Sequence, residues 1–445
     1  MLEIIIVTDI VYKEGIQPEA DTRTIRKVVV AGSVGTIIEW YDYALYGAAA
    51  GLVINKLFFP SLSPSSALLA ALATFAVGYF ARPLGGVIIS HIGDKWGRKP
   101  ALIFSIVLMG LTTVALGLLP SYFHIGVWSS VLLVLLRLLQ GFGAGAELAG
   151  ALTFVGEYVP FKRRAFYTSI INASTVVGIM LATGAFLLVS QLPEDAFLSW
   201  GWRIPFLASS VLFILAFYIR HNLDETPAYQ KSMAEAEKKK KTQKVPLSEL
   251  LKNSPKEVFY AFLSVTAHQA NSYILSVFSI SYMVNTLGMT RTDSLIALIC
   301  GSIAGIIGTP IMGSISDKVG AAKVYSLGCI FIALFSIPFF AILDTQNLAF
   351  VILGMCILYG IGYGATSGSQ GAFLVNLFPI RYRFSGVALS RELNGMLIAG
   401  PTPFICAWLV TLAEGKPTYV FGYIWACCLL SVVAVHIIKH KANNQ

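Results

Sequence analysis

Two carboxylic acids lie three residues apart inside an apolar stretch near the start of the chain. A helix places Glu39 and Asp42 on one face, roughly 18–22 Å along it from Lys27 at about 1.5 Å per residue. Burial disfavours the charged form of a carboxyl group, so a buried carboxyl can take up and release a proton reversibly. Both residues are therefore candidates for proton exchange. The alternative is a structural ion pair, or a hydrogen bond to a tyrosine such as Tyr43.

A permanently charged arginine, Arg137, lies in the middle of another apolar run. Such a charge needs a counter-charge, and we expect Glu39 or Asp42 to supply it. The pair would either bias the protonation of the carboxyl group or simply hold two helices together. Glu147 is a further candidate for proton exchange, but it lies about 80° around the helix from Arg137. We therefore do not expect these two residues to pair.

Further polar residues in apolar runs are candidates for binding a ligand. Arg391 and Glu392 are adjacent and point about 100° apart, so only one of them can face a central cavity. The planar guanidinium of Arg391 suits a carboxylate ligand, and the alternative is a structural ion pair. A histidine inside a membrane more often makes a hydrogen-bonded contact between helices than a proton relay, and this alternative applies to His268. The predicted ligand-binding residues are Tyr43, Arg82, Gln140, His268, Gln269, Arg391 and Asn394.

The elements that carry these residues are predicted to be transmembrane helices. Only 12% of the 445 residues are charged and 56% are hydrophobic, whereas a soluble domain has roughly 25% charged residues. Apolar runs of about 20 residues indicate membrane-spanning helices. Twelve such runs are predicted, at 28–54, 66–90, 101–119, 126–157, 165–190, 202–219, 257–287, 294–315, 324–343, 347–376, 385–412 and 418–438.

The distribution of basic residues predicts the orientation. Most of the 32 lysines and arginines lie in the tails and in alternate loops, which places both termini in the cytoplasm. The opposite loops contain only Lys56, Arg203, Arg291 and Lys416. The short apolar run at 4–7 has no basic residues before it, so it is not read as a cleaved signal. The spacing of the six cysteines indicates neither disulfides nor a zinc site.

The chain divides into two similar halves. A polar, lysine-rich segment separates two groups of six spans, and the motif Asp-Lys-Trp-Gly-Arg-Lys at 94–99 recurs as Asp-Lys-Val-Gly-Ala-Ala at 317–322. Repeated halves of this kind form a shared site near the midplane of the bilayer. The predicted fold is all-α, with twelve transmembrane helices in two pseudo-symmetric six-helix bundles. The predicted divisions are a tail at 1–22, a bundle at 23–220, a cytoplasmic linker at 221–254, a bundle at 255–438 and a tail at 439–445.

Several motifs resemble those of the major facilitator superfamily. The loop at 94–99 is similar to its signature loop, and the segment at 137–145 is similar to its fourth-span Arg-Gly motif. Segments at 38–43, 81–86 and 201–206 resemble the metabolite:proton symporter family within it, whose members carry α-ketoglutarate, citrate, shikimate, or proline and betaine. The resemblance implies the major facilitator fold. Span five lacks the Gly-Pro of drug/proton antiporters, which argues against export by proton antiport.

The signature loop is expected to act as a gate. Asp94 can cap the N-terminus of a neighbouring helix, and Arg98 or Lys99 can pair with Glu157 at the base of span four. Asp317 is the equivalent of Asp94 in the second half. These contacts would hold one side of the protein closed and would break when that side opens.

Together these features predict a transporter of the cell inner (cytoplasmic) membrane, functional as a monomer. It would take up a small carboxylated metabolite with a proton, such as a dicarboxylate, a keto acid or a shikimate-like acid. A zwitterion such as proline or betaine is the alternative substrate, and a non-transporting membrane sensor is the alternative of another class. No catalytic motif is present in the sequence, so we expect no enzyme activity, cofactor or metal. The basic residues alternate with apolar spans, which argues against nucleic acid as a partner.

Overall fold

Apolar runs this long fold into helices because a lipid environment offers the backbone no other hydrogen-bond partners. The structure is a computed structural model that describes residues 22–96, 98–145, 147–221, 246–378 and 383–443. Twelve long helical segments follow one another in this part of the chain. In chain order they are α1 (22–58), α2 (Pro64–Trp96), α3 (Arg98–Leu118), α4 (Val127–Gly143 and Glu147–Tyr158), α5 (Phe161–Ser190), α6 (194–221), α7 (255–286), α8 (Arg291–Val319), α9 (Ala321–Asp344), α10 (Leu348–Leu377), α11 (Arg383–Leu412) and α12 (Thr418–Asn443).

Each predicted span overlaps one of these helices, so the twelve-helix, all-α fold is confirmed. The predicted tails lie almost entirely outside the described residues, as does most of the predicted linker. The end of that linker, however, forms a short helix, Pro246–Asn253. Its Leu250 is fully buried and packs with residues of the second bundle such as Val258 and Leu374.

The helices differ in how apolar they are, and the difference reflects where they lie. Among the described residues, eight helices are long and apolar enough to cross a membrane on their own, and α6 joins them if its bend of 40° is accepted within one span. The equivalent helices α1 and α7 do not reach that hydropathy. Both contain buried polar side chains in their central turns, which is typical of helices that line the interior of a bundle rather than face lipid.

Wider, π-type turns interrupt the helices that meet at the centre of the protein. They occur at Ala50–Ile54 in α1, Ile274–Phe278 in α7, Leu358–Tyr363 in α10 and Gly395–Ala399 in α11. Such turns are frequent at functional sites because they change which side chains face inward.

Glycines allow the closest helix crossings, and these crossings repeat in the two halves. A Cβ atom on Gly141 of α4 would lie 1.8 Å from the carbonyl oxygen of Gly78 on α2. In the second half, a Cβ atom on Gly308 of α8 would lie 2.2 Å from the carbonyl oxygen of Gly360 on α10. Small residues permit this backbone approach inside membranes. The α2–α4 and α8–α10 pairs are therefore equivalent packing units of the two bundles.

Replacing Gly141 by alanine should destabilise the protein, because the added methyl group has no space against the α2 backbone. Overpacking of this kind costs about 1–3 kcal/mol or more, and a lower midpoint of thermal unfolding in detergent would report it. Gly184 is the matched control, since an added Cβ there meets nothing within 4 Å. A Gly141→Ala protein as stable as Gly184→Ala would show that the α2–α4 crossing is not as close as described.

Candidate functional site

An arginine connects the two bundles at the centre of the protein. The Arg82 guanidinium of α2 lies 2.8 Å from Glu39 Oε1 on α1, and its Nε donates to Glu392 Oε2 on α11, also at 2.8 Å. The guanidinium lies over the rings of Tyr43 and Tyr79, with centroids at 4.9 and 5.4 Å. The side chains of Arg82 and Glu39 are only 8% and 1% exposed. Arg82, predicted to bind a ligand, thus already holds one carboxylate from each bundle.

An aromatic cluster adjoins this charge cluster and also crosses between the bundles. Tyr273 of α7 packs against Trp40, Phe75 and Tyr79 of the first bundle, with ring centroids 5.5–6.0 Å apart. The hydroxyl groups of Tyr79 and Tyr273 are hydrogen-bonded to each other. Within the described residues, the buried Trp40 Nε1 and Tyr43 hydroxyl have no hydrogen-bond partner. Buried polar groups are nearly always bonded, so these two atoms are candidates for bonding to a ligand or to water.

A polar wall from α7, α10 and α11 forms the second bundle's side of the site. Arg391 Nη1 donates to Gln370 Oε1 at 2.9 Å, and His268 Nδ1 is 3.1 Å from the Thr366 hydroxyl. The His268 ring lies 5.0 Å from the ring of Tyr363. Gln370 Nε2 is buried without a hydrogen-bond partner in the described part of the chain. Arg391 and Gln370 together therefore present donors suited to a carboxylate.

Two further predicted ligand-binding residues belong to helices α11 and α7 of the second bundle. Asn394 donates to the carbonyl oxygen of Phe262 at 2.9 Å and to the Thr266 hydroxyl at 2.8 Å, which joins α11 to α7. Its amide therefore serves packing within the second bundle. Gln269 is buried on α7 next to His268.

Arg137 lies wholly inside the first bundle. Its guanidinium donates to Gln140 Oε1 and to the carbonyl oxygen of Phe75, the latter at 3.1 Å, and lies 4.0 Å from the Tyr46 ring centroid. The Gln140 amide nitrogen donates in turn to the Thr113 hydroxyl at 2.8 Å. Gln140, predicted to bind a ligand, uses both ends of its amide in this way. It positions Arg137 instead.

Asp42 is fully buried beside this arginine cluster. Neither of its carboxylate oxygens makes a hydrogen bond of standard geometry within the described residues. Its surroundings include the Thr113 hydroxyl and the charges of Glu39 and Arg137. The direct ion pair expected between Arg137 and Glu39 or Asp42 is not what the structure shows. Glu39 pairs with Arg82, and Arg137 bonds to neutral groups.

A helix-capping contact closes the end of the protein that carries the basic loops, here called the basic end. Asp317, at the end of α8, accepts hydrogen bonds from the backbone amides of Ala165 and Phe166 at the start of α5, at 2.9 and 3.0 Å. Arg164 donates to Asn376 Oδ1 of α10 at 2.5 Å. A carboxylate is stabilised at a helix N-terminus by the free amides and the helix dipole. Asp317 therefore caps a helix of the other bundle, the contact expected of its counterpart Asp94.

Some of the predicted residues cannot be placed. The following side chains lie outside the described part of the structure: Glu147, Asp94, Arg98, Lys99 and Glu157.

Ion pairs and an amide contact close the opposite end. Glu194, at the start of α6, lies 3.0 Å from Lys56 Nζ and also pairs with Arg291 of the second bundle. Asn55 of α1 donates to Asn285 of α7 at 3.3 Å. A recess of about 470 Å³ beside this contact is lined by Asn55, Lys56 and Asn285, among others. Contacts between the two bundles are thus present at both ends, and the central cluster lies between them.

Several of these residues were missed from the sequence. The polar run Thr366, Ser367, Ser369 and Gln370 within the otherwise apolar α10 was a usable signal for the second bundle's wall. Glu194 offered no signal, because it lies between two predicted spans and its partners come from distant segments.

Comparison with known proteins identifies the family. The sequence model of the Major Facilitator Superfamily matches residues 32–399. The shikimate transporter of Escherichia coli K12 is 35% identical over 420 residues, covering 93% of this chain and 94% of that protein. The proline/betaine transporter of the same strain is 32% identical over 432 residues, covering 95% and 85%. The inner membrane metabolite transport protein YhjE, also from that strain, is 35% identical, covering 94% and 95%.

Solved structures show the same fold. The E. coli xylose transporter XylE, in a partially occluded inward-open conformation, superimposes with a TM-score of 0.71 at 16% identity, covering 94% of this chain and 97% of that one. A D-xylose-proton symporter gives a TM-score of 0.70 at 17% identity, covering 93% and 97%. The family match, the relatives aligned along nearly their whole length and the shared fold agree: the chain belongs to the Major Facilitator Superfamily of membrane transporters.

Proposed function

We propose that this transporter takes up a small carboxylated metabolite together with a proton. The observation that carries the proposal is the charge balance between the two closures. The described side chains there comprise three arginines and three carboxylates, which are Arg82, Arg137, Arg391, Glu39, Asp42 and Glu392. Taken together, these six described side chains carry no net charge without a ligand. A ligand carboxylate adds one negative charge, and one bound proton restores neutrality.

Asp42 is the residue to which we assign the proton. It is completely buried, and neither of its oxygens makes a hydrogen bond of standard geometry within the described residues. Glu39 and Glu392, by contrast, are both paired with Arg82. A carboxylate with a close cationic partner keeps its charge more readily than a desolvated one without such a partner. Arg137 next to Asp42 would then attract the anionic substrate once Asp42 is neutral.

Arg391 is the residue to which we assign the substrate carboxylate. Among the hydrogen bonds of the described residues, its guanidinium makes one, to Gln370, so most of its five donors remain available for a bidentate contact. The relatives support a carboxylate substrate. Shikimate, proline and betaine, named for the similar transporters, all carry a carboxylate group.

A zwitterion such as betaine or proline is the second candidate substrate, and the aromatic cluster favours it. The rings of Trp40, Tyr43, Tyr79 and Tyr273 lie beside the charge cluster. Aromatic faces bind quaternary ammonium groups. A zwitterion would place its cation against these rings and its carboxylate on Arg391.

Transport would proceed by alternating access, with the bundles rocking about the central cluster. Opening the basic end requires the Asp317 contact to break, and opening the opposite end requires the Glu194 pairs to break. We propose that the basic end faces the cytoplasm, with both termini there, and that the protein acts as a monomer in the inner membrane. Labelled shikimate, succinate and betaine offered to proteoliposomes under an imposed pH gradient test the substrate class. A non-transporting sensor would accumulate none of them.

Asp317→Ala should shift the protein toward a state open at the basic end, because the α5 amides lose their cap. Spin labels at the exposed positions Lys162 and Lys323, in a protein whose native cysteines have been replaced, would report longer distances between the bundles. Asp293→Ala, at the other end of α8, is the matched control and should leave the distances unchanged. Equal distances in both variants would remove Asp317 from the closure.

Asp42→Asn should abolish accumulation of substrate driven by a pH gradient while sparing exchange of labelled for unlabelled substrate. The amide resembles a permanently protonated carboxyl group, so the substrate still binds but the proton is no longer carried. Asp195→Asn, at an exposed position near α6, serves as the control. Normal accumulation by the Asp42→Asn protein would exclude Asp42 as the coupling residue.

Arg391→Ala should raise the apparent KM for a carboxylate substrate about 10- to 100-fold, the range for losing a hydrogen bond to a charged group. Initial rates of uptake in proteoliposomes measure the change. Lys416→Ala removes an exposed positive charge from the same bundle and should leave the KM as it is. An unaltered KM in the Arg391→Ala protein would show that the carboxylate binds elsewhere.

A further inference from the structure

The Arg82–Glu392 ion pair crosses between the two bundles, and this distinguishes it from the Arg82–Glu39 pair. Arg82 Nε lies 2.8 Å from Glu392 Oε2, and Nη2 lies 3.4 Å from Oε1. Glu39 and Arg82 both belong to the first bundle, so their pair moves as one body. Rocking of the bundles, by contrast, changes the geometry between Arg82 and Glu392. Glu392 is therefore the charged partner that the conformational cycle can exchange.

Glu392 also adjoins a second arginine. It is the sequence neighbour of Arg391 on α11, and it pairs with Arg82 of α2. Glu39, Arg82, Arg391 and Glu392 thus form a group of four charges that is neutral only when Glu392 is ionised. Without that carboxylate, one arginine charge would remain uncompensated in the interior, which is strongly unfavourable.

We infer that Glu392 is an internal counter-ion that substitutes for the substrate carboxylate when the transporter is empty. With substrate bound, the substrate's own carboxylate can take the place of the Glu392 charge, because a loaded protein without that charge is neutral when Asp42 stays ionised. With the site empty, Glu392 takes this role, so the empty protein can reorient without an uncompensated charge. The inference rests on the proposed function insofar as it requires a carboxylate in the substrate.

This role separates two modes of transport. Exchange of internal for external substrate uses only the loaded protein, whereas net movement also requires the empty protein to return. Loss of the Glu392 charge should therefore slow net movement and spare exchange. It should also tighten binding of a carboxylate, because the substrate no longer competes with an internal carboxylate.

The test compares Glu392→Gln with the wild-type protein in proteoliposomes loaded with labelled shikimate or labelled betaine, both of which carry a carboxylate. Net efflux into substrate-free buffer should fall at least about 10-fold. Exchange should stay within about 3-fold of wild type, with a lower apparent KM, and Glu392→Asp should restore net efflux. Glu414→Gln, at an exposed position in the same bundle, should change neither rate. Equal loss of exchange and net efflux in Glu392→Gln, or no loss of either, would overturn the inference.

The inference and the proposed function can fail separately. If the wild-type protein moves betaine but not shikimate, the preferred substrate class is wrong. The ratio of exchange to net efflux, measured with betaine, still tests the role of Glu392. If it moves neither, the distance between labels at Lys162 and Lys323 is measured without substrate. Glu392→Gln should then populate longer distances, because the closed, empty arrangement has lost its counter-ion. A distribution identical to that of the wild-type protein would overturn the inference independently of transport.

Discussion

Neutralising arginines away from water is the constraint on which the rest of this structure depends. A guanidinium keeps its proton at any accessible pH, so each buried arginine must find partners within the fold. Arg82 finds two carboxylates, one from each bundle. Arg137 uses backbone carbonyls, Gln140 and the face of Tyr46, whereas Arg391 uses Gln370. These requirements bring α1, α2, α10 and α11 together at the centre.

The contacts at the two ends are of different kinds, a helix cap at one end and exposed ion pairs at the other. At the basic end, a carboxylate caps a helix of the other bundle through two backbone amides, a contact reinforced by the helix dipole. At the opposite end, the ion pairs of Glu194 are half exposed, and exposed pairs are weak and screened by salt. The interface between bundles is thus held by several modest contacts around one buried cluster. Such an interface can break on one side while the other side stays closed.

Two side chains of the aromatic cluster have polar atoms without hydrogen-bond partners in the described residues. Trp40 Nε1 and the Tyr43 hydroxyl are buried next to charges that balance one another. The site thus combines polar donors, aromatic faces and carboxylate-binding arginines in a small volume. That combination suits a small molecule with a carboxylate and a polar or cationic remainder.

The sequence by itself determined the twelve spans, the internal repeat and which charged residues lie inside the spans, because hydropathy and helical periodicity are local properties. It also singled out Asp317 as a candidate for a contact at a helix end, through its position in a repeated motif. Only the tertiary structure decided the pairings: Glu39 with Arg82 rather than Arg137, Gln140 turned toward Arg137, and Glu392 rather than Arg391 crossing between the bundles. Periodicity specifies the face of a helix on which a side chain lies. It does not specify which distant helix packs against that face, and for a buried charge that neighbour decides its role.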